Sequence, residues 1–486
     1  MGINAMKWTW KRFCLYFGTL LLSGSFLGCA VGPNYKRPSV DVPVTYRDAV
    51  TETKPVVTEP TGQTAQASAQ SIGDEKWPEV FQDPELQKLI REALKNNYDV
   101  RIAAARVLAA QAQVGITRAN QFPTLGAGGN VTSQQSPKLG PIPSYELTQG
   151  EVLASAAWDL DFWGKYRRAT EAARATLLAN QWAQKEVMTT LVADMATAYF
   201  QLRQLDLELE ISNRTLNSRR DSLQLTQTLE QHGINSLLDV RQSEQLVYAA
   251  ATEVPDLERQ VRQQENAISI LLGRNPGDVP RGLKITEQPH TPEVPAGIPS
   301  TLLERRADIR EAEANLMAAN AHIGVARAAY FPQISLTGSA GYESPALTNL
   351  LTGPAGAWNL AASLTQPIFE GGRLKSNVRL AEAQREQIAL TYQQTIQGAF
   401  RDVSNALIAY RKNQEFREQQ ERLLESAQDA ARLSEVRFKA GTTDYLEVLT
   451  NETNSFSAEL NLAQARGNEM VALVQLYQAL GGGWQQ

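Results

Sequence analysis

Apolar residues recur along two long stretches of this chain at the spacing of a helical seam. Leu202, Leu205, Leu209, Leu216 and Leu223 step by three, four, seven and seven; Phe400, Val403, Leu407 and Tyr410 step by three, four and three. Such rows give a helix one apolar edge that must pack against another helix. Residues 165–232 contain no glycine or proline, and residues 373–440 contain only Gly398. Each stretch is 68 residues long. As one continuous helix it would reach about 100 Å at about 1.5 Å per residue. Helices in globular proteins average about three or four turns, so rods of this length span something. Glycine turns are predicted to end them, at His232-Gly233-Ile234-Asn235 and Ala440-Gly441-Thr442-Thr443. A return helix of about 38 residues then runs to Leu272-Gly273 or Leu480-Gly481, and Pro255 should interrupt and kink the first of them.

Ahead of each rod the period changes to two. Ile334, Leu336, Gly338, Ala340 and Tyr342 share one strand face, and Ser335, Thr337 and Ser339 share the other. Trp358, Leu360, Ala362 and Leu364 alternate with Asn359, Ala361, Ser363 and Thr365. Two weaker stretches precede the first rod, Thr124–Ser133 and Val152–Asp159, with a Pro/Gly loop at 136–143 between them. Before those strands, residues 85–120 read as one helix ending ahead of Phe122-Pro123.

The order helix, strand pair, long helical hairpin occurs twice. Asp99-Val100-Arg101 falls on Asp308-Ile309-Arg310 and Phe122-Pro123 on Phe331-Pro332 at an offset of 209; Asp194 falls on Asp402 and Gly233 on Gly441 at 208. The predicted organisation is a signal peptide at 1–28, an extended N-terminal segment at 29–84, one repeat at 85–273, a proline-rich linker at 274–301 and a second repeat at 302–483.

Composition narrows the setting. The chain holds 47 Lys plus Arg and 52 Asp plus Glu. Removing residues 1–28, with Lys7, Lys11 and Arg12, leaves 44 against 52, or about −8. That is no footprint for nucleic acid. The apolar run from Phe13 to Leu27 fits a signal sequence and is too short to span a bilayer. No later stretch offers 18 uninterrupted apolar residues, so a membrane crossing would have to use strands. Cys14 lies inside the apolar run. Cys29 follows Phe26-Leu27-Gly28, which looks like a lipoprotein cleavage box; the alternative is a chance cysteine behind a signal peptide. On the lipoprotein reading Cys29 carries covalent N-palmitoyl and S-diacylglycerol lipid, and Ala30 rather than Asp after it favours an outer membrane.

Four strands in lipid would leave two open edges, and unpaired backbone amides in hydrocarbon cost several kcal/mol each. Closure then requires other copies of the chain. Two copies would reach the eight strands of the smallest outer-membrane barrels, and three would give twelve strands around an open interior.

Several motifs together carry a family resemblance. The run from Cys29 through Pro38 (CAVGPNYKRP) resembles the mature start of the lipoprotein branch of TolC/OprM-like outer-membrane efflux channels, the NodT-type branch that serves resistance-nodulation-division pumps. Val294–Ser300 followed by Leu302–Arg310 (LLERRADIR) looks like that branch's signature, with Ala307 where Pro is usual. Pro367–Gly372 and Ala479–Trp484 fit as well, so the resemblance covers residues 29–484. It implies a mainly α protein with a membrane β-barrel: a homotrimer sharing one twelve-stranded barrel, continued by a long α-helical barrel. It implies the passive exit duct of a three-part efflux pump, fed by a periplasmic adaptor (membrane fusion) protein and an inner-membrane, proton-driven transporter, with outer-membrane lipid around it. It implies no cofactor beyond the lipid on Cys29.

Site residues follow from the same resemblance. Glu447 occupies one of the family's acidic positions at the periplasmic aperture, and Asp239 is its counterpart in the first repeat. Three copies of each would ring a narrow opening with carboxylates and attract cations; the plainer alternative is two solvated acids near helix starts. Thr450 and Thr443 stand where the family has an acidic and a basic gate residue. Gly233, Gly441 and Thr442 are the candidate adaptor-contacting tips, with simple turn chemistry as the alternative.

No catalytic pattern competes with this reading. His232, His290 and His322 share no metal-ligand spacing, and neither Gly371-Gly372 nor Gly481-Gly482-Gly483 is followed by Lys-Ser/Thr as in a phosphate loop. The alternatives kept are a duct for type I protein secretion and a non-transporting coiled-coil lipoprotein scaffold; the scaffold would not need the four alternating strands.

Overall fold

The computed structural model describes residues 30–43, 46, 71–137, 140–141, 143–289 and 299–484. Residues 1–28, Cys29 and His290 lie outside the described residues. Two compact units divide the chain, one built from 1–39, 106–181 and 311–392, the other from 40–105, 182–310 and 393–486. Helices are α1 (Trp77–Val80), α2 (Pro84–Asn96), α3 (Tyr98–Ala119), α4 (Lys165–Gln231), α5 (Leu237–Leu271), α6 (Pro299–Arg305), α7 (Ala307–Ala328), α8 (Arg373–Lys439) and α9 (Tyr445–Ala479). Strands are β1 (Thr124–Ser136), β2 (Tyr145–Leu160), β3 (Gln333–Ser344) and β4 (Gly356–Thr365).

The first unit holds a four-stranded antiparallel sheet in the order β1-β2-β3-β4. Its central pairing joins β2 to β3 across more than 170 residues of chain, in the register Trp158↔Leu336 and Val152↔Tyr342. Strands one and two are longer than their alternation suggested, because Tyr145–Glu151 pairs with Asn130–Ser136 and takes the first residue of the expected loop into the ladder. The N-terminal segment is strapped onto this unit. Val31 N donates to Trp163 O at 3.0 Å. Arg168 donates to the carbonyls of Val31 (3.2 Å) and Gly32 (3.3 Å) and to Asn34 Oδ1 (2.8 Å). Asn320 holds Pro33 O, and Arg37 reaches Glu313 and the hydroxyl of buried Tyr392.

The second unit is helical, with a core that includes Tyr199, Leu202, Ile268, Leu272 and Tyr477. A polar knot ties its irregular segment to α4. The fully buried Asp83 caps α2 through the amides of Glu85 and Leu86, and also accepts from Tyr199 OH (2.8 Å), Leu283 N (2.9 Å) and Gln288 Nε2 (3.0 Å). A buried carboxylate this fully bonded carries little unpaired cost.

Four expectations need correction. The helix predicted over 85–120 breaks at Asn97, whose backbone turns extended (ψ 135°). Its side chain accepts from the amides of Asp99 and Val100 and so starts α3, a competition with the helix that short amide side chains regularly win. The return helices span 35 residues, not about 38. Helix α5 runs on through Pro255, which ends nothing, although Ala251 O receives no N–H from it. Finally, Pro299–Thr301, assigned to the linker, form the first turn of α6, with Pro at the opening position.

Candidate functional site

The register turns the alternation of single strands into two continuous sheet faces. On one lie Leu125 and Val131 of β1, Val152 and Trp158 of β2, Leu336 and Tyr342 of β3, and Trp358, Leu360 and Leu364 of β4. On the other lie Thr124, Asn130 and Thr132, then Ser155 and Asp159, then Ser335, Thr337 and Ser339, then Asn359, Ser363 and Thr365. The apolar face is bare in the single chain: Leu125 is 82% exposed, Trp358 80% and Leu360 76%. Isolated exposed apolar residues are ordinary, whereas a face of them is a surface made to be covered. The polar face carries carboxylates and no basic residue. Glu151 stands directly opposite Glu343, which also accepts a hydrogen bond from Gln149. Among the described residues, both outer strands, β1 and β4, keep one edge without a partner.

The second candidate region is the pair of hairpin turns. In the first, Gly233 has φ +73° and donates to Glu230 O, while Ile234 N donates to Leu229 O (2.9 Å). In the second, Gly441 has φ +71° and donates to Phe438 O, while Thr442 N donates to Arg437 O (3.0 Å). Both are Schellman closures, which need a residue at home in the left-handed region. Nothing lies within 4 Å of where a Cβ would stand on either glycine. The candidate tips are therefore open surface in the single chain.

The aperture candidates sit at matching places, three residues past each helix cap, with different partners. Asp239 closes a capping box: its carboxylate accepts from Ser236 N and Oγ at 2.9 Å, and Ser236 Oγ accepts from Asp239 N. Glu447 accepts instead from Arg437 Nη1 at 2.8 Å and from the Thr443 hydroxyl, and its amide donates to the cap residue Asp444. Thr450 turns its hydroxyl back to Leu446 O (2.8 Å). His232 stays at its turn against Thr228 O, and among the described residues no group of three candidate ligands could hold a metal.

Sequence reasoning missed Arg437, ten residues before Glu447. It becomes a neighbour only because the Schellman turn folds the chain back by a fixed number of residues. It also missed the seam that joins the two hairpins just behind the turns. Tyr445, Val448 and Leu449 of α9 pack with Leu246 and Phe438, and Ser243 Oγ donates to Tyr445 OH at 3.1 Å. Buried Arg219 donates to Leu246 O and lies 5.0 Å over the Phe456 ring.

Comparison with known proteins places these features. The family described as "Outer membrane efflux protein" matches residues 89–274 and 298–482. The chain is similar to the probable efflux pump outer membrane protein TtgC of Pseudomonas putida, 35% identical over 94% of this chain and 93% of that protein. It is 33% identical to the cation efflux system protein CusC of Escherichia coli, over 94% and 96% of the two chains. The solved open state of the MtrE outer membrane channel of Neisseria gonorrhoeae superposes with a TM-score of 0.83 at 32% identity, covering 94% of this chain and 99% of that one.

Proposed function

Because this chain belongs to the outer membrane efflux protein family, and is the outer-membrane channel of an efflux pump, we propose that it works as a passive homotrimeric exit duct for small toxic compounds. The observation that carries this reading is the sheet: two continuous faces, apolar and polar, with two open edges. Three such sheets joined edge to edge make a twelve-stranded wall with no unpaired edge, wide enough to leave a lumen. The apolar face then meets lipid and the polar face lines the lumen.

A periplasmic adaptor and a proton-driven inner-membrane transporter deliver the cargo in this reading. The open turns at Gly233, Gly441 and Thr442 supply adaptor contacts. Asp239 and Glu447 narrow the periplasmic aperture, with Arg437 holding Glu447 in a bonded state that an opening movement would have to break. Residues 1–28 act as a signal peptide and Cys29 carries the lipid anchor. The strap at Val31–Arg37 supports that reading, because it holds the chain just after Cys29 against Trp163, in the turn between β2 and α4. One relative is named for toluene efflux and another for cation efflux; for this chain we propose organic toxicants, with selection made by the transporter rather than by a wall of small polar residues.

A susceptibility panel after gene deletion, with and without complementation, tests the function. Restored resistance to several unrelated compounds is expected; full resistance in the deletion strain to every compound would sink it. Conductance of the purified protein in planar bilayers, and its mass in detergent, test the trimeric duct separately.

A further inference from the structure

The apolar face of the sheet stops short of one end of the strands. Its longest rows run from Val152 to Leu160 on β2 and from Ile334 to Tyr342 on β3, eight residue steps from end to end. At about 3.4 Å per residue and a tilt of about 40°, such a row stands about 21 Å tall, against about 25 Å for the apolar band of outer-membrane barrels. Helices α3, α4, α7 and α8 join the strands at the Leu160 end, so the Val152 end is the outer one. Beyond Val152 the same face of β2 continues as Gly150, Thr148 and Glu146. The strand itself adds nothing apolar there.

The segment joining β3 to β4 covers that place. Gly150 is buried, and a Cβ on it would stand 2.7 Å from Leu347 Cδ2 and 3.6 Å from Leu350 Cδ2. Because Gly150 shares its face with Val152 and Trp158, both leucines lie on the apolar side of the sheet. A side chain at position 150 would take the space of Leu347. Residues 345–356 (PALTNLLTGPAG) include no charged residue. Leu347 is 56% exposed and Leu351 74%. Seated two residues past Val152, the leucines raise the row by about 5 Å, which brings it close to the full band.

Irregular backbone meets lipid only where its polar groups are satisfied. This segment bonds its own. Ala346 N donates to Ser344 Oγ (3.2 Å), Asn349 N to Ala346 O (3.0 Å), Thr352 N to Asn349 O (3.1 Å) and Ala355 N to Thr352 O (3.0 Å). Two short 3-10 turns, Leu347–Asn349 and Gly353–Ala355, make this possible. A second copy of the chain is a poor cover for these leucines. Strand β2 is paired on both sides by β1 and β3, so the segment lies over the middle of the sheet, away from the open edges of β1 and β4.

We propose that the β3–β4 segment is part of the lipid-facing surface. It lies down on the outer side of the sheet and presents Leu347 and Leu351 to the acyl chains at the boundary of the outer leaflet. It thereby completes an apolar band that the strands alone leave short. This inference rests on the reading that the apolar face meets lipid.

Single cysteines carrying an environment-sensitive fluorophore test it, in the full-length protein reconstituted into phosphatidylcholine vesicles with iodide on both sides. The unsubstituted protein sets the background from Cys29, and variants are compared at an unchanged mass in detergent. Labels at Leu347→Cys and Leu351→Cys should lose most of their emission to acyl chains brominated near the headgroup, and little to iodide. Leu360→Cys, in the middle of the apolar face, should lose more to chains brominated near the methyl end. Asn359→Cys, on the polar face, should respond to iodide alone. If Leu360 meets bromine while either segment label is quenched by iodide, or is shielded from both quenchers, the proposal is overturned. A Leu360 label untouched by brominated chains would overturn the lipid-facing sheet itself, and this inference with it.

Discussion

Gly273 and Gly481 close the return helices with the same Schellman bonds that Gly233 and Gly441 use at the hairpin turns, and with φ between +71° and +82° at all four. Their surroundings differ. A Cβ on Gly273 would stand 2.6 Å from Asn96 O, and one on Gly481 would meet the side chains of Arg305 and Arg306 at 3.1 and 3.2 Å. At Gly233 and Gly441 it would meet nothing within 4 Å. One backbone solution therefore serves two purposes. Where the turn is crowded, glycine is needed for space as well as for φ, and the turn belongs to the packing of the unit. Where it is open, only φ is constrained, and the surface is left for something else to touch.

The largest effect that separates the two kinds of turn is expected at Gly273. Alanine there combines left-handed strain of about 1–2 kcal/mol with about 1–3 kcal/mol for displacing the Asn96 backbone. Gly233→Ala and Gly441→Ala should show the first cost alone. Thermal denaturation of the purified protein measures both; a loss at Gly441 equal to that at Gly273 would mean that the hairpin turn is packed in the assembled state. Next comes Ser236→Ala, which opens the capping box at the first turn and should cost about 1 kcal/mol by the same measurement.

Smaller effects distinguish the two turns from each other. Glu447→Ala should weaken cation block of single-channel current in planar bilayers, and Arg437→Ala, which frees the carboxylate, should strengthen it. Because the pair is exposed and worth at most about 1 kcal/mol, each change should stay within about fivefold. Unchanged block in both variants would remove Glu447 from the aperture.

The least effect is expected from Glu208, in the packed part of α4. Burial raises its carboxyl above the ordinary value and the like charge of Glu253 adds to this, while a hydrogen bond from Gln204 opposes the rise. The raised acid favours its neutral form in the folded state. Its contribution is therefore most favourable below the unfolded carboxylate value of roughly 4.3 and is lost as pH rises through the folded value. Glu208→Gln should melt higher than the parent at pH 7, and the difference should vanish as the pH falls to about 4. An advantage that persists at low pH would assign the effect to packing instead.

The long helices, the return helices and all four strands were legible because each is long and strongly periodic, and a period of 3.6 or 2 is visible without neighbours. Misplaced boundaries cluster where a side chain outside the local pattern decides. Asn97 breaks a stretch with otherwise good helix propensity by capping the next helix and donating to Leu271 O, 174 residues away. Pro255, a strong local stop signal, was overridden inside a helix held by packing along both its flanks, including buried Val247 and Leu257. Glu447 and Asp239 could be placed near helix starts from sequence, but their partners could not be told apart. Thr443 and Asp444 are near in sequence, whereas Arg437 comes close only through the turn.

Local chemistry by itself determined the element types, the duplication, the excess of acid over base and the glycine at the end of each long and each return helix, because each depends on residues adjacent along the chain. Only the tertiary structure decided which strand faces merge into one apolar surface, since the β2–β3 register is set by residues from different repeats. It likewise decided which carboxylates are bonded and by what, as at Asp83 and Glu447. Those outcomes depend on distances between residues far apart in sequence, and no local period encodes them.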